Sequence, residues 1–501
     1  MKRVIFVLLL LGLFSIPSYS CAEISAPSYT LNTNYYLTAG KMVTGDFNSD
    51  GKLDLAVTDF SENRVAILTG NGQGGFASPT YISAGERHQY IVSADFNRDS
   101  KLDLATVNEI VPLSSPGYIS VLLGYGTGSF STEKTFPVGS RPLEVKVGDL
   151  NNDCKSDLIS INQFSDNVSV LLGEGNWSFS TATNFTTQFC FSPQSLDVGD
   201  FNGDGNPDVV TGCGNEIAVL IGEGTGLLGL PTNYIAGQCP LWLDTGDFNG
   251  DGKLDLIVAN CGTDYLTFMI GKGDGSFQEE GKITIGQYSS RVVNIYDLNQ
   301  DGNLDIVAVR QFNGGGMNAV YAIIGKGDGT FESPITVYTN SSNYVVNIYT
   351  AIGDFNLDGR PDIAVAEDDF YYINYPEVTN KISIFLADYD TCLDDDSDGL
   401  CNIVETNTGI FNNPNDTGTD PNNADSDNDG LNDGFEMWPL GTNPTLTDTN
   451  DNGISDTDED SDGDGITNAE EVQCNSDPTD ICSKCARRPN ALHWLMLLLE
   501  E

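Results

Sequence analysis

The sequence predicts an all-β fold: a seven-bladed β-propeller closed by an N-terminal strand, with a loop-rich repeat module after it. Three observations predict it. One acidic nine-residue motif occurs seven times, at intervals of 47 to 57 residues. Short apolar segments with the alternation of β-strands surround each copy. Near residue 391 the composition shifts to Asp, Asn, Gly, Thr and Pro, and acidic loops of a second spacing begin there.

The N-terminus has the features of a secretion signal. Two basic residues precede an apolar stretch from Val4 to Phe14, and the small residues Ser20 and Ala22 suit cleavage before Glu23. The apolar stretch is too short to span a bilayer. Cys21 leaves a lipoprotein anchor open as an alternative to a secreted or cell-surface protein. The predicted division is signal peptide 1–22, propeller 23–390, calcium-dependent repeats 391–480 and tail 481–501.

Each repeat unit contains four predicted strands. In the first unit one strand leads into the motif and a second leaves it at Leu53 to Val57. A third strand spans Val65 to Leu68, a glycine-rich turn runs from Gly70 to Phe76, and a fourth strand lies around Thr80 to Ser83. Four strands in about fifty residues is the size of a propeller blade.

The two ends of the repeat array have complementary defects. The seventh unit lacks the glycine-rich turn and has no fourth strand after Phe385. The segment Tyr35-Tyr36-Leu37 precedes the first motif where a fourth strand would normally stand. We expect it to complete the last blade, because closure removes exposed sheet edges. A linear stack of seven units is the alternative, and the complementary ends speak against it.

The charge is strongly acidic, with 72 Asp and Glu against 23 Lys and Arg and a net charge of −49. Such a surface repels phosphates, so nucleic acid is excluded as a partner. Just under half of the acids fall in register within the repeated loops. Bound divalent cations would offset them, whereas a generally solubilising acidic surface is the alternative interpretation.

Removing the signal leaves ten cysteines, an even number that suits an oxidising compartment. Two pairs flank acidic motifs with parallel spacing, which predicts the disulfides Cys190–Cys213 and Cys239–Cys261. A third pair, Cys392 and Cys401, brackets an acidic loop. The partners of the other four stay open, namely Cys154, Cys474, Cys482 and Cys485.

The motif D-x-N-x-D-G-x-x-D places oxygen donors at positions 1, 3, 5 and 9. Hard oxygen ligands at a spacing of two suit a loop that wraps a calcium ion. Position 6 needs a tight turn, and because loops two and three carry Ser100 and Cys154 there, we expect them to bind most weakly or stay empty. The predicted ligands are Asp46, Asn48, Asp50 and Asp54; Asp95, Asn97, Asp99 and Asp103; Asp149, Asn151, Asp153 and Asp157; Asp200, Asn202, Asp204 and Asp208; Asp247, Asn249, Asp251 and Asp255; Asp297, Asn299, Asp301 and Asp305; Asp354, Asn356, Asp358 and Asp362.

Four C-terminal loops carry ligands at positions 1, 3, 5 and 12 with Gly at position 6. This is EF-hand spacing without the flanking helices. We name them by their first residues: loops 394, 425, 448 and 460. Loop 448 has amides at positions 3 and 5, so we expect it to be the weakest of the four; a disordered acidic tail is the alternative. The predicted ligands are Asp394, Asp396, Asp398 and Glu405; Asp425, Asp427, Asp429 and Glu436; Asp448, Asn450, Asn452 and Glu459; Asp460, Asp462, Asp464 and Glu471.

The acidic loops and the G-x-G-x-G-x-F turns resemble the FG-GAP or VCBS repeats of integrin-like propellers, over roughly Ile24 to Asp390. The resemblance implies that oxygens of positions 1, 3, 5 and 9, and the carbonyl of position 7, surround structural Ca²⁺. The C-terminal loops, with spacers such as Thr419-Asp-Pro421, resemble bacterial thrombospondin type 3 repeats. That resemblance implies a module that folds around its calcium ions.

Repeated architecture does not name a function. The favoured hypothesis is a secreted or surface calcium-binding protein for adhesion or for binding a glycan or protein. The propeller face opposite the acidic loops is the expected binding surface. Its longest loop runs from Glu367 to Lys381. The candidate ligand-binding residues are the aromatic Phe370, Tyr371, Tyr372 and Tyr375 of that loop, together with Trp242.

Two other function classes stay open: a polysaccharide-degrading enzyme on a propeller scaffold, and a purely structural spacer. The mature chain has only two histidines, His88 and His493, and no G-x-S-x-G or H-E-x-x-H motif. We therefore predict that the protein is not an enzyme and assign no catalytic residue. We also expect a monomer without a transmembrane span, whose partner is an extracellular protein or glycan.

Overall fold

The computed structural model describes a propeller and parts of the C-terminal module. The described residues are 29–32, 39–60, 62–261, 263–286, 290–311, 318–340, 347–368, 381–386, 407, 409, 418–420, 422–433, 436, 440, 442–450, 453–461 and 466–469. The predicted signal peptide and tail lie outside them, as do Cys21, Cys392, Cys401, Cys474, Cys482 and Cys485.

The strands form seven separate four-stranded antiparallel sheets, one per blade. Blades one to three contain β2 (Ala39–Gly45), β3 (Asp54–Asp59), β4 (Arg64–Leu68) and β5 (Thr80–Ser83); β6 (His88–Ala94), β7 (Asp103–Asn108), β8 (Pro116–Leu122) and β9 (Lys134–Ser140); β10 (Pro142–Gly148), β11 (Asp157–Asn162), β12 (Asn167–Leu171) and β13 (Thr183–Thr186). Blades four to six contain β14 (Ser195–Gly199), β15 (Asp208–Cys213), β16 (Glu216–Leu220) and β17 (Thr232–Ile235); β18 (Pro240–Gly246), β19 (Asp255–Asn260), β20 (Tyr265–Gly271) and β21 (Phe277–Thr284); β22 (Ser290–Tyr296), β23 (Asp305–Arg310), β24 (Asn318–Ile323) and β25 (Ile335–Asn340). Blade seven contains β26 (Asn347–Gly353), β27 (Asp362–Asp368), β28 (Lys381–Phe385) and β1 (Tyr29–Asn32).

An N-terminal strand completes blade seven, but it is not the segment that the sequence reasoning chose. Strand β1 pairs with β28 in a register that sets Tyr29 against Ile384 and Asn32 against Lys381. The predicted segment, Tyr35 to Leu37, lies outside the described residues. The sequence Tyr-Thr-Leu-Asn alternates apolar and polar residues, as a strand with one packed face requires, whereas Tyr-Tyr-Leu does not alternate. The prediction of Tyr35 to Leu37 was therefore wrong, because Tyr29–Asn32 is the segment that pairs with β28.

The seven blades close into a ring. Their innermost strands, β2, β6, β10, β14, β18, β22 and β26, contact one another in that order, and β26 also contacts β2. The hydrophobic core lies between blades: Leu55 and Val57 of blade one share a cluster with Ala364 and Ile384 of blade seven. The linear stack is thereby excluded. Because β3, a second strand, has a blade on each side, all six of its residues are buried.

In blades one to six the glycine-rich turn joins the blade to the preceding one. In blade one the Gly70 N–H donates to Asp54 Oδ1 of the same blade (2.7 Å), and the Gly74 N–H donates to the Phe355 carbonyl of blade seven (2.8 Å). The Phe76 ring packs edge to face on Phe355, 5.6 Å between centroids. Equivalent interblade ring pairs are Phe47–Phe130, Phe96–Phe179, Phe201–Phe277 and Phe248–Phe331. The turn is therefore an interblade connector, a role that the sequence analysis did not assign.

Both predicted disulfides of the propeller are present, Cys190–Cys213 and Cys239–Cys261. Each joins the end of a second strand to the connection that enters the same blade. Cys154, whose partner the sequence leaves open, is also disulfide-bonded.

The described part of the C-terminal module is made of turns, with one short 3-10 helix at Asp456–Asp458. Ser455 caps that helix by accepting from the Asp458 N–H. The described part of the chain contains no helix with the length and hydropathy that a membrane span requires.

Candidate metal centres and the opposite face

All seven propeller motifs lie at one end of the blades, which we call the loop face. In each blade the motif comes directly after the first strand, and its position 9 is the first residue of the second strand, as with Asp54 in β3. Strand direction alternates within a blade, so the glycine-rich turns between third and fourth strands lie at the same end. The loops between second and third strands, and the interblade connections, lie at the other end, which we call the opposite face.

Positions 1 to 6 of a propeller loop fold around their own backbone. In loop one the Asp46 carboxylate accepts from the N–H groups of Asp50 (3.0 Å) and Gly51 (2.8 Å). Asn48 Oδ1 also accepts from the Asp50 N–H, at 2.9 Å. These are Asx-type turns, which the Asp and Asn of the motif favour. They bring the oxygen donors of the motif to one side of a tight loop.

Position 9 closes the loop from inside the protein. Asp54 is fully buried, and its Oδ2 accepts from the Phe47 N–H at position 2 (3.0 Å) while its Oδ1 accepts from Gly70. All seven loops contain the bond from position 2 to position 9. Burial, more than the neighbouring carboxylates, raises the pKa of position 9, to about 7 in Asp103 and about 6 in Asp157. The position 9 carboxylate therefore holds the loop closed by hydrogen bonds whether or not an ion is bound.

Side chains of the same loop also donate to the carboxylate at position 5. Where position 7 is Lys, its ammonium contacts the position 5 carboxylate, as in Lys52–Asp50 at 3.3 Å and Lys155–Asp153 at 2.7 Å. In loops four, six and seven the position 3 amide donates instead, from Asn202, Asn299 and Asn356. No propeller loop among the described residues brings three carboxylate oxygens within 4.8 Å of one another. One oxygen without a partner is Asn151 Oδ1 in loop three, which is buried and accepts no hydrogen bond. The propeller loops can therefore close on their own donors.

Position 6 adopts the left-handed conformation in the two loops that lack glycine there. Ser100 has φ 62° and Cys154 has φ 57°, against 77° for Gly51 in loop one. A residue with a Cβ is strained in this region by about 1–2 kcal/mol. Loops two and three therefore fold less favourably, which is the basis of the prediction that they bind most weakly.

The described carboxylates that converge most closely lie in loop 425. Asp425, Asp427 and Asp429 each place an oxygen within 4.8 Å of the others. Asp425 Oδ1 and Asp427 Oδ2 are buried and accept no hydrogen bond. Burial and the neighbouring carboxylates raise the pKa of Asp427 to about 6. Buried carboxylate oxygens without donors are costly, and a hard divalent cation is the group that satisfies them.

A second group extends this centre into the next loop. Asp429, Glu436 and Asp456 also converge within 4.8 Å, and Glu436 Oε2 is buried without a hydrogen-bond partner. Burial first, and then the surrounding carboxylates, raise the pKa of Glu436 to about 9. Thr457, beside Asp456, fixes the two loops together, because its N–H and hydroxyl both donate to Asp429. A cation here would join two repeats.

Asp456 was missed by the sequence reasoning, although a signal for it exists. It occupies position 9 of loop 448, and position 9 of every C-terminal loop is Asp or Asn. The three described position 9 side chains also accept from the N–H of position 2, as in Asp433 from Ser426 (2.8 Å) and Asn468 from Ser461 (3.2 Å). The C-terminal loops therefore contain the same hydrogen bond from position 2 to position 9 as the propeller loops.

Loop 448 shows why amide ligands should weaken a site. Asn450 Nδ2 donates to Glu459 Oε1 at 2.8 Å, so positions 3 and 12 satisfy each other without a cation. The other predicted ligands that lie outside the described residues are Asp394, Asp396, Asp398, Glu405, Asn452, Asp462, Asp464 and Glu471.

Trp242 lies where the central channel opens at the opposite face. It is the third residue of β18, and its ring stacks on Tyr90 of blade two at 5.6 Å. Lys41 places its Nζ 3.2 Å from the centre of the Trp242 ring. The remaining predicted ligand residues, Phe370, Tyr371, Tyr372 and Tyr375, lie outside the described residues.

Exposed apolar side chains mark the opposite face of blades two to four. We call this group the rim: Ile110, Val111, Phe164, Phe189 and Phe191, which are 38, 66, 50, 78 and 63% exposed. They lie in the loops between second and third strands and in the connection from blade three to blade four. The sequence gives no signal for these five residues, because single apolar residues in loops carry no periodic pattern.

Comparison with known families matches both repeat types. An FG-GAP-like repeat profile matches residues 46–106, 149–211, 200–258, 247–308 and 297–365. A bacterial TSP3 repeat profile matches residues 425–447 and 460–481. A comparison with curated proteins finds no match.

Several solved structures are similar at low identity. A structure of BBS1N in complex with ARL6DN is 11% identical, with a TM-score of 0.49, covering 73% of this chain and 97% of that one. Streptogramin B lyase is 13% identical, with a TM-score of 0.45, covering 71% and 97%. An Agrocybe aegerita lectin that recognises non-reducing terminal N-acetylglucosamine is 18% identical, with a TM-score of 0.44, covering 60% and 81%.

The sequence profile, the seven sheets and the repeated loop geometry agree. The FG-GAP-like matches span more than half of the chain and fall on the blades of the propeller. The chain therefore belongs to the FG-GAP-like repeat family and carries bacterial TSP3 repeats after its propeller.

Proposed function

We propose that the protein is an extracellular or cell-surface calcium-binding protein that binds a protein or glycan through the opposite face of its propeller. The observation that carries this proposal is the rim, in which five exposed apolar side chains stand on neighbouring loops. Exposed apolar surface costs solubility and marks interaction sites when it is contiguous. Aromatic side chains supply most of the contact energy in many such sites.

Hydrogen bonds between neighbouring loops hold the rim together. The Phe164 N–H donates to the Ser140 carbonyl (3.1 Å), and the Ser140 hydroxyl donates to the Ser114 carbonyl (2.9 Å). Beneath them Glu109, almost fully buried, receives Arg141 at 3.1 Å, and the Arg141 guanidinium lies 4.9 Å from the centre of the Phe164 ring. These contacts connect blade two to blade three.

A disulfide anchors the part of the rim nearest blade four. Cys190 is fully buried and bonded to Cys213, while its neighbours Phe189 and Phe191 point to solvent. The Ser192 N–H donates to Asp166 Oδ1 at 2.6 Å, which attaches the same loop to blade three. Two phenylalanines are thus presented on a short, cross-linked loop. Such preorganisation lowers the entropy cost of binding.

Calcium has a supporting role in this proposal. Extracellular calcium modules bind at about 10⁻⁴–10⁻³ M, which at millimolar calcium gives roughly 1 kcal/mol per loop. The propeller loops close on internal donors, so we expect the propeller to fold without calcium and to stiffen with it. The C-terminal module, with its unpartnered buried carboxylates, should require the ion. Both repeat families suit an extracellular or surface location.

The experiment is a screen of the full chain, in calcium, on a glycan array and an array of extracellular proteins. The double variant Phe189→Ala/Phe191→Ala should reduce binding to the strongest hit by at least tenfold. The matched control, Tyr125→Ala/Leu230→Ala, removes two exposed apolar side chains from the loop face, 53 and 76% exposed, and should bind normally. Equal binding by the parent and the phenylalanine variant would reject the rim as the recognition surface.

A further inference from the structure

The opposite-face mouth of the central channel contains a cavity of about 210 Å³. Its walls come from the first strands of several blades, and its lining includes Lys41, Tyr90, Trp242 and Tyr349 as well as Gln194 and Gln311. Three aromatic rings and one cation thus meet in a concave space at the channel axis. The cavity shares no residue with the rim, so it can be tested independently of the proposed function.

Lys41 is a cation with aromatic neighbours and no acidic partner. Its Nζ is 3.2 Å from the centre of the Trp242 ring, 5.3 Å from that of Tyr90 and 5.4 Å from that of Tyr349. Among the described residues no carboxylate oxygen lies within 4.0 Å of it, whereas most other lysines of the propeller have such a partner. Burial lowers the pKa of Lys41 to about 7, against the attraction of Glu144 and Asp244. The ammonium is therefore short of counter-charge.

The acids on the first strands of blades three to five supply that charge only in part. Asp197 is occupied by Lys146 (3.0 Å) and by the Thr245 hydroxyl (2.8 Å). Burial raises the pKa of Glu144 to about 7 and that of Asp244 to about 8. At pH 7 the Glu144 carboxyl is therefore about half protonated and the Asp244 carboxyl mostly protonated, so the two carry less than one full negative charge between them. Although the whole chain carries −49, its channel mouth therefore favours an anion.

We propose that the channel mouth binds a small anionic sugar of the uronate class. The sugar carboxylate pairs with the Lys41 ammonium, and the C–H face of its ring packs on Trp242 and Tyr349. A charge-assisted pair is stronger here than in water because the site is poorly solvated. A neutral sugar gains only the packing on the rings. A cationic ligand is repelled by the Lys41 ammonium, which already lies among the aromatic rings that would otherwise attract it.

The test compares glucuronate with glucose, which differ by one carboxylate. Isothermal titration of the full chain in calcium should show glucuronate binding at least tenfold more tightly than glucose. Lys41→Met, which keeps the length of the side chain without its charge, should abolish this preference, and Lys41→Arg should retain much of it. The control Lys134→Met removes another lysine that lies beside aromatic rings, Phe136 and Trp177, but outside the channel. It should bind glucuronate like the parent.

The pH dependence separates an ion pair at Lys41 from bridging through calcium. Lys41 faces Tyr90 of blade two, Glu144 and Lys146 of blade three, Asp244 of blade five and Tyr349 of blade seven. Glucuronate affinity should fall between pH 6 and pH 9 as Lys41 loses its proton, and this fall should be absent from Lys41→Met. Three results would each overturn the proposal: equal affinities for glucuronate and glucose, no measurable glucuronate binding, or undiminished preference in a Lys41→Met protein whose melting curve shows it folded.

Discussion

At the residue scale, the acidic positions of the propeller loops divide into two kinds. The position 9 carboxylate is fully buried. Its two oxygens accept hydrogen bonds from two backbone N–H groups, as Asp54 does from Phe47 and Gly70. Positions 1, 3 and 5 are half-buried or exposed, and in loop one the oxygens of positions 1 and 3 also accept backbone N–H groups. The first kind holds the loop to the blade, and the second supplies the oxygens that the predicted calcium sites require.

The backbone at position 6 gives a reciprocal pair of substitutions. Ser100 has φ 62°, and Ser100→Gly should relieve left-handed strain and stabilise loop two by about 1 kcal/mol. The inverse change, Gly51→Ser, should cost a similar amount, since a Cβ at Gly51 would meet no atom within 4 Å and only the backbone is strained. Thermal melts in calcium should shift in opposite directions. Shifts of the same sign would show that side-chain contacts, and not the backbone, dominate at position 6.

Glu144 predicts a pH dependence of stability. Its carboxyl is buried, which raises its pKa from an unfolded value of about 4.3 to about 7. Between these values the folded state holds more protons than the unfolded state, so the free energy of unfolding falls as pH rises. Glu144→Gln removes that titration. From pH 5 to pH 8 the variant should gain roughly 1–3 kcal/mol relative to the parent.

Denaturation of the two proteins at pH 5, 6, 7 and 8 measures this difference. Glu174→Gln, at an exposed carboxylate of a glycine-rich turn, is the control and should show no such change. A constant difference between Glu144→Gln and the parent at every pH would mean that Glu144 is ionised in the folded protein throughout.

At the scale of elements, the two loop types share one hydrogen bond between position 2 and position 9. In propeller and C-terminal loops alike, position 9 accepts from the N–H of position 2, as in Asp54 with Phe47 and Asp433 with Ser426. The two loop types differ in the segment after position 9. In the propeller, position 9 starts a buried strand, so packing holds the loop. In the described residues of the C-terminal module no such strand is present, and convergent carboxylates take its place.

The carboxylate group shared by loops 425 and 448 allows a test of whether one calcium ion is bound by both loops. Asp456→Asn should weaken the strongest calcium site of the module about tenfold, although Asp456 belongs to the neighbouring loop, because it removes a charged oxygen from the group with Asp429 and Glu436. Asp458→Asn, two residues away and exposed, should have little effect. Calcium titration of the full chain measures both variants. Equal affinities in the two variants would remove Asp456 from the site.

At the scale of the whole molecule, ring closure depends on sheet pairing and on interblade packing. Strand β1 pairs with β28, the turn of blade one donates to Phe355 of blade seven, and β26 contacts β2. The sheet pairing brings together residues more than 340 positions apart in the chain. No disulfide among the described residues joins β1 to β28, so we expect closure to be sensitive to truncation.

Two truncations test closure. A chain beginning at residue 29 keeps β1, whereas a chain beginning at residue 33 lacks it and exposes the edge of β28. The shorter chain should melt lower by on the order of 5 °C and aggregate more readily, since an unpaired edge strand recruits other chains. Identical melting of the two truncated chains would show that interblade contacts alone close the ring.

The sequence by itself determined the number of blades, the strands of each blade, two disulfides and the positions of the acidic loops. These features are local or periodic: a motif at fixed spacing, an alternating strand, a pair of cysteines around one hairpin. It also predicted that an N-terminal strand closes the last blade, but the strand that pairs is Tyr29–Asn32 and not Tyr35 to Leu37.

Only the tertiary structure decided which distant residues meet. The channel mouth joins Lys41, Tyr90 and Trp242 from three blades, and the rim collects side chains from loops as far apart as Val111 and Phe191. Asp456 joins a carboxylate cluster of the preceding repeat. The sequence carries no periodic signal for these long-range contacts, because they depend on the closure of the ring and on the packing of one loop against the next.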